Sequence, residues 1–267
     1  MQTNCQNCNR DIVENFCSNC GQKSFKRINK KYILDELQYT LIHTNKGFLY
    51  TIKNLIKNPG KTARFFIEGD RINHYKPISL LFILSTISSV LMFKVLDMNT
   101  ISAEYYSKQK MSSLMMNDVS AFMSSYYSFI MMLLVPFFAL CTWLVLKKWG
   151  NNYYEHIVIN SYILSMYTII YIVLFVPVLY FIKSDHQLFI KISTFTFLIF
   201  PVVFFWFFKG FYPEKSLKEI ILKSILIFVL VIIAYFILIF ASIIVFMIYY
   251  AITKSPQEMM NYIKPNK

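Results

Sequence analysis

The stretch SILIFVLVIIAYFILIFASIIVFMIYYA, Ser224–Ala251, decides the fold class because it runs for 28 residues without a charged side chain. About 20 helical residues cross the roughly 30 Å hydrocarbon core of a bilayer, so this stretch can span a membrane with some tilt. Helices in the cores of globular proteins are usually shorter. The stretch therefore predicts an integral membrane protein.

Four further apolar runs precede this stretch, and the composition, 56% hydrophobic with 26 Phe and 19 Tyr, agrees with a membrane class. We expect an all-α integral membrane protein with about five transmembrane helices in a domain of residues 77–251, followed by a tail of residues 252–267. The predicted spans are Pro77–Leu96, Tyr126–Leu146, Ile157–Ile182, Leu188–Phe208 and Leu222–Ala251. No glycine falls within these runs, so we expect helix contacts there to use Ser, Thr and Ala.

A cysteine-rich stretch, CQNCNRDIVENFCSNCGQ at residues 5–22, opens the chain. Its two C-x2-C pairs comprise Cys5, Cys8, Cys17 and Cys20. Four thiolates at this spacing can enclose one tetrahedral ion, which predicts a small zinc ribbon over residues 1–24 with zinc as a structural cofactor. Metal binding would supply the folding energy, since Ile12, Val13 and Phe16 are nearly the whole apolar core.

Other interpretations of the cysteine pairs remain open. Iron is the main competing ion. Redox dithiols normally sit in a larger domain than this segment supplies, and disulfides would require the head to lie outside the reducing cytoplasm.

The topology follows from the apolar runs and the charges. The first residues lack the apolar core of a signal peptide, so we expect the head to stay in the cytoplasm. Five spans then place the C-terminus outside, and a small excess of Lys and Arg on the cytoplasmic side agrees. The predicted location is the cell (inner) membrane.

Residues 25–76 form a basic amphipathic juxtamembrane region. Two apolar stripes at helical spacing comprise Leu34, Leu37 and Leu41, and then Phe48, Ile52 and Leu55. A third helix is predicted to begin with Asn58 as N-cap and Pro59 in the first turn, and to end at Gly69.

Such helices favour the membrane interface, where cationic side chains contact anionic lipid headgroups. The candidate membrane-interface residues are Lys61, Arg64, Phe65, Phe66, Arg71 and Lys76. Packing of the helices on the ends of the spans is an alternative that does not exclude lipid contact.

The ribbon and the segment behind it resemble an uncharacterised bacterial zinc-ribbon membrane-protein family, domain of unknown function 3667. The resemblance covers about the first third of the chain and rests on CSNCGQK and on IHTNKGFLYTIKNLIKNPGKTARFFIEGDRINHYKPISLLFIL. The matching positions are Lys46, Gly47, Phe48, Leu49, Pro59, Gly60, Arg64, Gly69, Arg71, Tyr75 and Pro77. Asp70 departs from the family pattern, which usually has a basic residue there. The resemblance implies an architecture and supplies no activity.

Ionisable side chains are the main sequence signal for catalysis or ion coupling inside a membrane. None lies at the centre of a predicted span. Glu155 and His156 precede the third run, and we interpret them as a solvated helix start. This pattern disfavours an enzyme.

Three functions remain to be weighed. Nucleic acid is disfavoured as a partner because Arg10 is the only basic residue between the first and last cysteine of the ribbon. We favour a non-enzymatic adaptor or assembly factor that binds a protein partner through the ribbon. A transporter or channel component with a regulatory head is the alternative, because prolines interrupt three spans and small polar residues form a row. These residues are Pro136, Pro177 and Pro201, and Ser161, Ser165 and Thr168.

Overall fold

The structure, a computed structural model, describes residues 3–4, 8, 10–12, 16–20, 47–70, 74–109 and 113–253. The chain forms two compact units, Met1–Lys46 and Gly47–Lys267. The predicted helix around Leu34–Leu41 and the tail beyond Thr253 lie outside the described residues.

In the first unit, two short antiparallel strands form a hairpin. Strand β1, Thr3–Asn4, pairs with strand β2, Asp11–Ile12, so that Thr3 lies opposite Ile12 and Asn4 opposite Asp11. Cys8 therefore lies in the connection between the two strands. We expected Phe16 in the small apolar core, but its side chain is 59% exposed.

The described part of the second unit consists of helices and the turns that connect them. Its α-helices are α1 Gly47–Lys57, α2 Pro59–Glu68, α3 Pro77–Val90, α4 Met98–Lys108, α5 Ser113–Leu146, α6 Tyr153–Ile170, α7 Val176–Ile182, α8 His186–Phe195, α9 Ile199–Phe211 and α10 Leu217–Thr253. Leu91–Val95 continues α3 as a π-helical turn, and Tyr171–Phe175 joins α6 to α7 in the same way.

Within the described residues, five helical stretches are long and apolar enough to cross a membrane, which confirms the predicted number. They are Pro77–Val95, Met116–Trp149, Tyr153–Ile182, His186–Phe211 and Leu217–Ile237.

The second to fifth of these spans begin earlier than predicted, because polar residues ahead of the apolar runs are helical. The segment between the first two predicted spans, Asp97–Ser125, contains α4 and the first turns of α5, joined by a 2.6 Å hydrogen bond from Ser120 Oγ to Asn99 Oδ1. The third span begins at Tyr153 because Asn152 and Glu155 form a capping box.

Helix α6 lies at the centre of the bundle, with α3, α5 and α9 packed around it. The predicted row of small polar residues on α6, Ser161, Ser165 and Thr168, is buried. The hydroxyls of Ser161 and Thr168 each donate to the backbone carbonyl four residues earlier, at 2.8 Å. These residues allow close packing without exposing polar groups to lipid.

Helices α1 and α2 pack on the bundle, and we call residues 47–68 the cap. Leu55 on α1 is fully buried, as its predicted stripe requires. Helix α2 has the predicted boundaries: Asn58 Oδ1 accepts a 3.0 Å hydrogen bond from the backbone N–H of Lys61, and Gly69 ends the helix with φ 121°. A positive φ of this kind is readily adopted only by glycine.

Glycine also makes a close contact between the cap and the bundle. Gly60 on α2 lies against the backbone of α9, where an added Cβ would clash with Phe207 O and Phe211 N and lie 2.6 Å from the carbonyl carbon of Gly210. This contact lies outside the predicted apolar runs, to which the expectation of Ser, Thr and Ala contacts applies. Gly210 lies beyond the predicted run Leu188–Phe208, and it belongs to the same helix.

Hydrogen bonds fix the segment between the cap and α3. The backbone N–H of Tyr75 donates to Thr51 Oγ1 at 2.7 Å, and Tyr162 on α6 donates its hydroxyl to the carbonyl of Tyr75 at 3.1 Å. Thr51 and Tyr162 are both fully buried. The entry into the first span is thus bonded to both the cap and the central helix.

Candidate functional site

The cysteines that the structure describes in the first unit lie together. The Sγ atoms of Cys8, Cys17 and Cys20 lie within 4.8 Å of one another, and those of Cys8 and Cys17 are 3.5 Å apart. Zinc–sulfur bonds of about 2.3 Å in a tetrahedron place sulfurs roughly 3.8 Å apart, so these distances fit one ion. Cys5, the fourth predicted ligand, lies outside the described residues. The three thiols could hold a metal ion.

The electrostatics of this cluster favour a metal ligand. Hydrogen bonds from the backbone of Arg10, and then from the Asn19 side chain and Cys17, lower the pKa of the Cys8 thiol from 9.0 to about 6. The thiolate is the form that binds metals. At neutral pH, Cys8 is therefore already in its metal-binding form.

The predicted membrane-interface residues lie in different surroundings. Phe65 is 39% exposed, and Lys61 Nζ lies 5.3 Å from the centre of its ring. Arg64 Nε is 3.8 Å from Glu68 Oε1. Phe66 instead packs edge-on against Tyr162, with 5.8 Å between the ring centres. An exposed Lys61 next to an exposed aromatic ring is suited to a headgroup region.

The remaining two interface residues precede the first span in the sequence. Lys76 is exposed immediately before Pro77, and Arg71 lies outside the described residues. Lipid contact by this set stays a prediction.

A cleft of about 350 Å³ separates α2 from the start of α6. Its lining residues are Phe66, Ile67, Asn152, Tyr154, Glu155 and Val158. Asn152 and Glu155 already bond each other in the capping box, with 3.0 Å between Glu155 N and Asn152 Oδ1. Polar and apolar side chains therefore both line the cleft.

Glu155 and His156, predicted as a solvated helix start, have separate environments. Glu155 Oε2 accepts hydrogen bonds from Asn152 N at 3.0 Å and from Asn151 Nδ2 at 2.9 Å. His156 lies inside the third span and is fully buried. The interpretation is correct for Glu155 as a capping residue and wrong for His156. The N-x-x-E spacing of Asn152 and Glu155 could have revealed the earlier helix start.

Sequence reasoning missed the polar contacts of His156. Its Nδ1 is 3.0 Å from Thr142 Oγ1 on α5, and Asn160 Nδ2 donates to the same oxygen at 2.8 Å. A histidine near one end of an apolar run gives no sign of which neighbour it faces. We call Thr142, His156 and Asn160 the α5–α6 polar cluster.

Comparison with known proteins gives one match and no functional description. No curated protein and no solved structure matches the chain. Residues 45–89, which comprise the cap and most of α3, match a family model described as "Protein of unknown function (DUF3667)". The family resemblance drawn from the Lys-Gly-Phe-Leu segment, the Pro-Gly helix start and the entry into the first span is therefore confirmed over residues 45–89.

Proposed function

We propose that this protein is a non-enzymatic membrane adaptor or assembly factor whose N-terminal zinc ribbon binds a protein partner. The observation that carries the proposal is Phe16, which is 59% exposed although the neighbouring Cys17 is only 2% exposed. Large aromatic side chains are enriched among the residues that dominate binding energy between proteins. A metal-held module with an aromatic side chain at its surface is suited to binding a partner.

The partner role can be tested with matched exposed phenylalanines. Phe16→Ala in the full-length protein should reduce the yield of a co-purified partner by about tenfold or more, as expected for a central aromatic contact. Phe122→Ala is the control, because Phe122 is 55% exposed on α5. Equal partner yields from wild type and both variants would contradict the adaptor role.

Zinc is the proposed ion, held by Cys5, Cys8, Cys17 and Cys20 in a closed site with a structural role. The tetrahedral fit of the described thiols and the lowered pKa of Cys8 support this assignment. Purified protein should contain about one zinc per chain. Cys8→Ser and Cys17→Ser should lower the content, whereas Cys141→Ser should not. Iron in place of zinc, or an unchanged zinc content in both Cys8→Ser and Cys17→Ser, would refute the zinc assignment.

The proposed location is the cell (inner) membrane, with the N-terminus in the cytoplasm and the C-terminus outside. In this orientation Lys61, Arg64 and Lys76 contact anionic headgroups at the cytoplasmic surface. Reporter fusions to both termini test the orientation. The combined change of these three residues to Gln should reduce co-purified anionic lipid, whereas Lys108→Gln, on the opposite side, should leave it unchanged.

A transporter or channel component with a regulatory ribbon is the second candidate. It is favoured by the buried row of small polar side chains on α6 and by the π-helical turn that precedes Pro177, since such turns occur frequently at functional sites. Solute flux in reconstituted vesicles, together with equal partner yields from wild type and Phe16→Ala, would favour this candidate over the adaptor.

A further inference from the structure

The α5–α6 polar cluster is buried within the membrane-spanning part of the bundle. Thr142 and Asn160 are each 1% exposed and His156 is 0% exposed. Both helices belong to candidate spans. Ionisable groups in such positions are costly, and they commonly mark functional sites.

The hydrogen positions in the cluster follow from its acceptors. Thr142 has one hydroxyl hydrogen, and the carbonyls of Phe138 and Ala139 lie 3.0 and 3.1 Å from Oγ1. With that hydrogen directed to the backbone, Oγ1 can only accept from other neighbours. In this assignment His156 Nδ1, at 3.0 Å, carries the hydrogen of the contact.

Asn160 supplies the remaining hydrogen bonds of the cluster. Its Nδ2 donates one hydrogen to Thr142 Oγ1 and the other to the carbonyl of His156, each at 2.8 Å. The amide therefore has no further hydrogen to donate, and only its oxygen remains, as an acceptor. In the tautomer assigned to His156, Nε2 carries no hydrogen and can only accept a hydrogen bond.

Nε2 of His156 lacks a protein partner among the described residues. It is buried, and no described donor lies within hydrogen-bonding distance of it. The buried hydroxyls of Ser88 and Ser165 share this property, but a serine in a helix can rotate toward the carbonyl one turn earlier. An imidazole held at Nδ1 cannot turn Nε2 toward its own backbone. An unmade hydrogen bond at this position is costly.

We propose that His156 Nε2 is the recognition atom of an intramembrane binding site for a small hydrogen-bond donor, either water or a protonated amine. With every hydrogen of Thr142 and Asn160 committed, the cluster offers lone pairs and no donors. This chemistry accepts neutral donors and small cations, and it rejects anions. The site does not depend on the ribbon or its partner, so either proposal can fail without the other.

The sequence allows His156 to be observed without a substitution. Glu155–His156 is the only Glu-His pair in the chain, so carbonyl-labelled Glu combined with ¹³C,¹⁵N-labelled His selects this imidazole by NMR in lipid vesicles. We expect a hydrogen on Nδ1, none on Nε2, and magnetisation transfer from water protons to Nε2. Carbonyl-labelled Asp in place of Glu selects His186, which follows Asp185 and whose Nδ1 lies 2.9 Å from Glu104 Oε2, as a partly exposed reference imidazole.

Addition of methylammonium distinguishes the two occupants. A shift of the Nε2 resonance with loss of the water transfer identifies an amine site, whereas unchanged water transfer identifies water. Thr142→Val should abolish the single tautomer of His156 and leave that of His186 unchanged. A hydrogen on Nε2, or an Nε2 that receives transfer from neither water nor methylammonium, would overturn the proposal.

Discussion

Replacing Gly60 with alanine should destabilise the protein, which is the reverse of the usual effect of this exchange. In an ordinary helix interior, Gly→Ala stabilises by about 0.5–1 kcal/mol. At Gly60 the new Cβ would lie 2.6 Å from the carbonyl carbon of Gly210, against at least 3.4 Å in ordinary contacts, and would clash with two further backbone atoms of α9. The two helices must therefore separate, and overpacking of this kind typically costs about 1–3 kcal/mol.

We expect a net loss near the upper end of that range, because the obstructing atoms are backbone atoms that cannot move by rotation of a side chain. The measurement is thermal unfolding of the purified protein in one detergent, followed by tryptophan fluorescence. Lys61→Ala, at the next and exposed position, is the control and should change stability by less than about 0.5 kcal/mol. An unfolding temperature that is unchanged or raised by Gly60→Ala would refute the reasoning.

A double-mutant cycle tests the other side of this contact. A Cβ on Gly210 would clash with Asn58 Oδ1, the N-cap of α2. Asn58→Ala alone should cost about 1 kcal/mol through loss of the cap. In that background Gly210→Ala should cost less than it does in the wild type, because its main obstacle is gone. Additive effects would show that the two residues do not meet.

Three further predictions concern other regions of the chain. Tyr162→Phe should lower the free energy of unfolding by about 1 kcal/mol, measured by thermal unfolding, because it removes the hydroxyl donated to the buried carbonyl of Tyr75. In metal-free protein at pH 7, iodoacetamide should label Cys8 much faster than the buried Cys141, as mass spectrometry can follow, because Cys141 lies inside a membrane-spanning helix. Asp97 has φ 55°, so Asp97→Val should destabilise by about 1–2 kcal/mol in a thermal melt whereas Asp97→Gly should be tolerated.

The number of spans was predictable because it depends on length and composition, which are local properties of the sequence. The boundaries of α2 were predictable for a similar reason, since Asn58, Pro59 and Gly69 each have a strong positional preference at helix ends. These signals act over one or two turns, and no distant residue is needed to interpret them.

The contacts that build the interior were not predictable in this way. Gly60 and Gly210 meet although they are far apart in the chain, and neither helix alone indicates its partner. The direction of His156 depends on the position of Thr142 on another helix. Apolar patterning identifies a face that is buried, and it leaves undetermined which side chain of the neighbouring helix lies opposite.

Several of the residues that carry the family resemblance attach the cap to the bundle. Gly47, Pro59 and Gly60 are buried where the cap packs, and Gly69 has the positive φ that ends α2. Tyr75 links the cap to α6, because its backbone N–H donates to Thr51 and its carbonyl accepts from Tyr162. Each of these features requires a particular backbone path or close approach, and none supplies a nucleophile, an acid–base pair or an exposed ligand. The matched segment therefore specifies an architecture, and Phe16 and His156, on which the proposals rest, lie outside it.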